Sequence, residues 1–255
     1  MKIAVCVKHA VDEAELKVDS GGNPQLAGAA SKMSTFDKNA VEEALRVKAA
    51  HSGEVVVISV GTSDAKKTLK EALAMGADRG VLIGADPLVV DTIYTARLLA
   101  AAIAKGGQYD IVLCSEGSSD SYSGLVPPML AEVLGLPYIG YVRKLEITGQ
   151  SAKAERSLED SVEVVEAPLP FVASVVSEIN EPRYPTLIQI MQAGKKPMEE
   201  LSPQTLAPDA KALGSMVASM KAQAMARKRV VFEGPPGDVA KKLLDALTTE
   251  GVLPK

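Results

Sequence analysis

The residues most able to do chemistry in this chain stand in one stretch, Ser115-Glu116-Gly117-Ser118-Ser119-Asp120-Ser121-Tyr122-Ser123-Gly124-Leu125-Val126. It follows an apolar run, Tyr109-Asp110-Ile111-Val112-Leu113-Cys114, that reads as a strand, and it precedes a helix predicted over 123–134. Small hydroxyls and backbone N–H groups ahead of a helix N-terminus cradle phosphate even without a lysine. Ligands of open α/β sheets bind at this end of the strands. The same composition also describes a polar connecting loop whose serine caps the next helix, and the residues alone leave both possibilities open. Cys6 to His9 and Val60-Gly61-Thr62 would border the same crevice, whose apolar walls suit an adenosine group.

Other chemistry is hard to find. There is no Gly-x-Ser-x-Gly elbow, His-Glu-x-x-His pair, Walker loop or Gly-x-Gly-x-x-Gly fingerprint. His9 and His51 do not share a spacing with Cys6 and Cys114 that suits zinc, so no metal site is expected, and acid–base catalysis by histidine has little support. His51 stands before Gly53, at a predicted helix C-terminus. Cys6 and Cys114 lie in apolar runs and read as buried free thiols in a reducing compartment, ahead of a disulfide. A reacting polyphosphate needs charge neutralisation, and no Lys or His stands in the serine loop.

The elements that must position this loop alternate strand and helix. Strands are predicted over 2–8, 55–60, 80–83 and 109–114, and helices over 36–50, 64–75, 91–105 and 123–134. Asp37 is the expected N-cap of the first helix, Asp91 stands at the start of the third, and Gly76 closes the second. Unbroken Val/Ile strands separated by helices mean an α/β fold with a parallel sheet covered on both faces. After 137 the strands 138–147, 153–157, 162–167 and 171–176 follow without helices, which reads as an antiparallel extension of the same sheet. From Asn180 the chain turns Pro-, Lys- and Ala-rich, with a short strand over 229–232 and a helix over 238–250. Little in 195–228 supplies a core, so the expected division is an α/β nucleotide-binding domain, 1–194, and an extended C-terminal arm, 195–255, lying on another subunit.

Composition limits the function classes. The 255 residues carry 28 Lys+Arg against 32 Asp+Glu, a net charge of −4, with no Trp and only 3 Phe. That argues against a nucleic-acid footprint or a stacking platform. The N-terminus lacks the layout of a signal peptide, and Leu98–Ala104 is far too short to span a bilayer. A soluble protein of the cytoplasm, not embedded in a membrane, is expected.

Several separate stretches then resemble one family in order. Ala40-Val41-Glu42-Glu43-Ala44-Leu45-Arg46-Val47-Lys48, Glu71-Ala72-Leu73-Ala74-Met75-Gly76-Ala77-Asp78-Arg79-Gly80 and Asn180-Glu181-Pro182-Arg183-Tyr184-Pro185-Thr186-Leu187 are similar to the beta subunit of electron transfer flavoprotein. Glu155-Arg156-Ser157-Leu158-Glu159-Asp160 running to Leu169-Pro170 resembles that family's signature region, and the likeness extends from residue 1 to about 200. The resemblance implies an adenine-nucleotide-hydrolase-like parallel sheet and an alpha-subunit partner holding most of the redox-active FAD. It further implies electrons received from flavin dehydrogenases of the acyl-CoA type and passed to a membrane quinone reductase, with no substrate turnover by this chain. It implies a structural AMP, or a second FAD in electron-bifurcating members, held by Cys6, Ser34-Thr35-Phe36-Asp37, Val60 and the loop Ser115 to Val126. Where familiar members have Asn-Pro this chain has Ser34-Thr35, and its loop ends Leu125-Val126-Pro127, so Ser121 or Ser123 would supply phosphate contacts. Asp91-Thr92 and Thr95 resemble a segment of second-flavin members. Asn180, Glu181, Pro182, Arg183, Tyr184 and Leu187 match the loop that meets the dehydrogenase, with Leu187 as its hydrophobic anchor. The plain alternative makes Leu187 a core residue of a short helix. Asp78-Arg79 reads as an ion pair, Met75 as core, and Lys195-Lys196 as a solvated face or a contact to an acidic partner. Competing functions are a nucleotide-dependent enzyme of this fold and a nucleotide-sensing module, which would need neither the tail nor the Asn180 loop.

Overall fold

The computed structural model describes residues 1–26, 28–86, 91–210, 218–222 and 228–253. In chain order its elements are β1 (Lys2–Cys6), β2 (His9–Val11), β3 (Ser31–Met33), α1 (Thr35–His51), β4 (Glu54–Gly61), α2 (Lys66–Met75), β5 (Arg79–Gly84), α3 (Thr92–Lys105), β6 (Ile111–Ser115), α4 (Val126–Leu134), β7 (Tyr138–Thr148), β8 (Ser151–Ser157), β9 (Val162–Pro168), β10 (Phe171–Val175), α5 (Leu187–Ala193), β11 (Met198–Leu201), α6 (Pro203–Leu206) and α7 (Pro236–Thr249). Nine strands form one sheet in the order β11-β5-β4-β1-β6-β10-β7-β8-β9. The pairs from β11 through to β7 are parallel, and β7, β8 and β9 then pair antiparallel. This is the expected α/β fold.

The period of two along each strand divides the core. Ile3 and Val5 of β1 pack with α1 and α2, through Val41, Ala44, Leu69 and Leu73. Ala4 and Cys6 pack with α3 and α4, through Leu98 and Leu130. Gly76 ends α2 with φ 137°, and Met75 before it is core. Asp91 caps α3, accepting the Tyr94 N–H at 2.8 Å.

The strand at 171–176 departs from expectation. β10 is not part of the antiparallel extension: it crosses back to lie parallel between β6 and β7. Its five residues are all buried, as a central strand covered on both faces requires. β7 changes partner along its length, pairing with β10 through Val142 and with β8 onward, and its register shifts twice on the way. Tyr141, with φ 59°, sits at the first shift and bends the strand where the sheet turns from parallel to antiparallel. An antiparallel ribbon of β2 and β3, not expected from the sequence, brings Met33 opposite His9.

The C-terminal part divides differently from the expected boundary. β11 lies within 195–255, yet it pairs with β5 as the sheet's edge strand. Residues 211–217 and 223–227 lie outside the described ones. Lys221–Lys255 forms a second compact unit. The strand expected over 229–232 is absent: that segment has no ladder partner, and Val230 and Val231 are exposed. In α7 no residue is buried.

Lys196 turns out to cap a helix. Its Nζ donates to Leu73 O at 2.8 Å and Ala77 O at 2.6 Å, carbonyls at the C-terminal end of α2. Asp78 pairs with Lys48 and takes the Val55 N–H, while Arg79 faces Glu54, so Asp78 and Arg79 do not pair with each other. Lys196→Met should lower the unfolding free energy by about 1–2 kcal/mol. Chemical denaturation measures this, and an unchanged midpoint would show that water serves those carbonyls equally well.

Candidate functional site

The upper end of β1 and β6 is closed by one carboxyl group. Asp37 is the third residue of α1 and only 3% exposed. It is not the helix cap. Ser34 holds that position without a side-chain capping bond, and Ser34 Oγ instead accepts the Ser119 N–H at 3.2 Å. Asp37 Oδ2 accepts the Lys8 N–H at 2.6 Å, and Oδ1 lies 2.5 Å from Ser115 Oγ. Ser115 Oγ is also 2.8 Å from Gly117 O. A hydroxyl has one hydrogen and cannot donate to both oxygens. When Asp37 is ionised Ser115 Oγ donates to its Oδ1, and when Asp37 is protonated the acid can donate to Ser115 Oγ, which then donates to Gly117 O. Burial pushes the Asp37 carboxyl up to about 7, against the Ser115 hydroxyl and the Lys8 amide, which favour the carboxylate.

Beside this acid the serine loop folds into an anion nest. Lys8 Nζ at 2.7 Å, Ser118 Oγ at 2.6 Å and the Ser121 N–H at 2.7 Å all donate to Asp120 Oδ1. Burial pushes the Asp120 carboxyl up, but Lys8 and Ser118 more than offset it and hold the group below its ordinary value. The cation that the serine loop itself lacks is thus supplied by Lys8, from the end of β1. Ser119 Oγ is buried and, among the described residues, has no hydrogen-bond partner. A polar atom left in that state costs about 1–3 kcal/mol, which a ligand oxygen at the loop would remove. The donors gathered on a carboxylate oxygen are those a phosphate oxygen takes, so the residues fit a nucleotide phosphate. Pro127 and Pro128 in the first turn of α4 have no N–H, so this helix start offers two fewer free donors.

Aromatic packing shapes the loop. The rings of Phe36 and Tyr122 meet edge to face at 5.4 Å. A Cβ on Gly117 would stand 2.7 Å from the Tyr122 ring, so the ring would have to move to admit a larger residue, and Gly124 closes the loop with φ 64°. Of the remaining expected site residues, Cys6 is buried and Val60 and Val126 pack on the α3–α4 side of the sheet. Glu116 is half-buried and Thr35, Ser123 and Leu125 are exposed. Cys6 and Cys114 are free thiols, and the Cys6 contact, with burial behind it, raises the Cys114 thiol. Thr95 Oγ1 donates to Asp91 O at 3.0 Å, so Asp91 and Thr95 both serve the start of α3.

A second cluster holds the segment 180–193. Asn39 Nδ2 donates to Ser177 O at 3.0 Å and Asn180 O at 2.8 Å, and Asn180 Nδ2 returns bonds to Asn39 O and Glu43 Oε2, each at 3.0 Å. Arg183 Nε and Nη2 grip the two oxygens of Glu42 at 2.7 and 2.9 Å. Burial pushes Glu42 up, but Arg183 and Arg46 outweigh it and hold the carboxyl below its ordinary value. Thr186 and Gln189 form a capping box that starts α5. Leu187 is 72% exposed and Tyr184 91%, and Ile188, Ile190 and Met191 are exposed with them. Leu187 is therefore not a core residue. Asn39, Glu42 and Glu43 were not singled out as site residues in the sequence, because a carboxylate pair on an amphipathic helix ordinarily faces solvent.

The family model for the electron transfer flavoprotein domain matches residues 26–206, ending where α6 ends. The electron transfer flavoprotein subunit beta of Bacillus subtilis (strain 168) is 35% identical over 253 residues, 98% of each chain. That of Thermoanaerobacterium thermosaccharolyticum is 36% identical over 261 residues, covering 99% of this chain and all of the relative. That of Syntrophomonas wolfei subsp. wolfei is 38% identical over 200 residues, 78% of each chain. The first two run through the tail, so the likeness does not stop near residue 200.

Asp37→Asn imitates the protonated acid, since its Nδ2 donates to Ser115 Oγ while Oδ1 accepts the Lys8 N–H. The wild-type carboxyl is raised from 3.8 to about 7 on folding. Its favourable contribution is thus complete below about pH 4 and is lost as pH rises through about 7. The wild type should lose on the order of 4 kcal/mol relative to Asp37→Asn between about pH 4 and pH 8. Denaturation at several pH values measures the difference, and a flat profile would mean that Asp37 stays ionised throughout.

Proposed function

The chain belongs to the electron transfer flavoprotein family as a beta subunit, and from that we propose that it is the non-catalytic half of a heterodimeric electron carrier. Its partner is an alpha subunit that holds most of the FAD, and the flavin, when bound, supplies the electron chemistry. Electrons come from flavin dehydrogenases of the acyl-CoA type and go on to a membrane quinone reductase. Among the described residues no helix is long and apolar enough to cross a membrane. What carries this proposal is the apolar face of Leu187, Ile188, Ile190 and Met191 standing in solvent on a segment anchored to the fold. An exposed aliphatic cluster of that kind marks a protein contact.

The serine loop holds AMP as a structural ligand. Lys8, Ser118, Ser119 and Ser121 bind the phosphate after Asp120 gives up its place, and Cys6 and Val60 line the apolar side toward the adenosine. AMP is favoured over a second FAD because Asp91 and Thr95 are already engaged in starting α3. The residues beyond the sheet form an arm on the alpha subunit. In support of that, α7 buries none of its residues and a helix of 14 residues is marginal alone.

Two measurements test this function. Denaturing the purified heterodimer and separating the released nucleotides should give one FAD and one AMP, whereas two FAD would replace AMP by a second flavin and no second nucleotide would remove the pocket. Leu187→Ala should weaken coupling to the dehydrogenase, since a buried aliphatic anchor contributes roughly 1.5–3 kcal/mol. Flavin content and melting temperature should stay nearly unchanged, and normal transfer kinetics would sink the anchor.

A further inference from the structure

We propose that Asn39 and Glu42 of α1 are positioning residues, which hold the segment 180–193 in its docking shape before the dehydrogenase arrives. This rests on the docking role proposed above for Leu187 and deepens it. Residues 180–186 have no helix or strand of their own, and the side chains that follow them are exposed. Such a stretch has no core to fix its path, so its shape comes from whatever it is bonded to. Those bonds converge on α1. Asn39, Glu42 and Glu43 stand at i, i+3 and i+4, on one face of the helix.

The bonds also fix orientation as well as distance. The amide of Asn39 and the amide of Asn180 exchange bonds with each other's backbone. The Glu42 side chain is only 5% exposed, and Arg183 meets it with both arms of the guanidinium and with its own backbone N–H at 3.2 Å. A planar fork on a buried carboxylate sets the rotation of Arg183, which a lysine would not do. Pro182 and Pro185 flank Arg183 and limit φ on both sides. With its origin, middle and backbone dihedrals set, the segment delivers Leu187 at one place. Ordering that would otherwise oppose association is already complete.

The test uses the intact heterodimer and a flavin dehydrogenase donor, comparing Glu42→Gln, Asn39→Ala, Arg183→Met and Leu187→Ala. If the docking shape falls to about one tenth of the population, the apparent KM for the heterodimer rises about tenfold. Glu42→Gln and Asn39→Ala should show that rise with kcat and flavin content unchanged, together with faster amide hydrogen exchange over 181–193. Glu42→Gln added to Arg183→Met should raise KM little further, because the pair acts as one unit. Arg183 lies near the surface, so its variant keeps the test open where a change at Glu42 prevents folding. A KM within twofold of wild type in Glu42→Gln or Arg183→Met, while Leu187→Ala raises it, overturns the positioning role alone. So does a raised KM with unchanged exchange over 181–193. An unchanged KM in Leu187→Ala overturns the docking role and this inference with it.

Discussion

The hydrogen-bond relay through Asp37 is the constraint on which the upper end of the sheet depends. Three segments far apart in sequence meet at that carboxyl: the end of β1 through the Lys8 amide, the end of β6 through Ser115, and the first turn of α1. A buried carboxylate would cost far more than a buried acid whose proton and oxygens all have partners. Ser115 Oγ stands between that carboxyl and Gly117 O, which ties the start of the serine loop to the first turn of α1. The relay also frees Ser34 from capping α1 and lets it receive the Ser119 amide. The walls of the candidate nucleotide site are in this sense built by the core.

Helix α1 joins that site to the segment bearing Leu187. From Asp37 to Glu43 is six residues, about 9 Å of helix. The face that carries Asp37 is locked by Val41, Ala44, Leu45 and Val47 in the core shared with α2, and Asn39, Glu42 and Glu43 stand on the other side. A helix so packed moves as a body, not residue by residue. The two regions thus have a common frame. The sharing is local, since Glu43 and Asp37 both depend on burial in the same helix and both have carboxyls raised by it.

The α/β order is legible because buried parallel strands write themselves as largely apolar runs without alternation, and β1, β4 and β6 all do so. The pairing of β10 is not legible locally because a strand's partner is a long-range property, which its own residues state only through the lack of alternation in Phe-Val-Ala-Ser-Val. Asp37 looked like an N-cap for a similar reason: sequence gives a residue's neighbours in the chain, whereas Ser115, 78 residues away, decided its role. The end of β1, Cys6 to His9, is legible as a border of the crevice, but the grip of Lys8 on Asp120 joins side chains 112 residues apart, which no local pattern states. The docking segment was legible from resemblance and from its prolines, but its anchor on α1 was not.

The distribution of apolar surface separates the places meant for association from those defended against it. Both edges of the nine-stranded sheet present ladders that would accept another strand. β11 carries Glu199 and Glu200, paired with Lys105 and Lys66, and β9 sets Glu163 and Glu166 among its exposed valines and ends at Pro168. Charge and proline on an edge oppose pairing with a second chain. The face of α5 has no such guard: Leu-Ile-Gln-Ile-Met is uncharged, and the nearest cation toward the C-terminus is Lys195. An unguarded apolar face persists without aggregation only if it is small and rigid, and the seven residues of α5, capped by Thr186 and preceded by a segment bonded to α1, meet both conditions. The same bonds that would present Leu187 to a partner therefore keep it from opening into a longer, stickier strand.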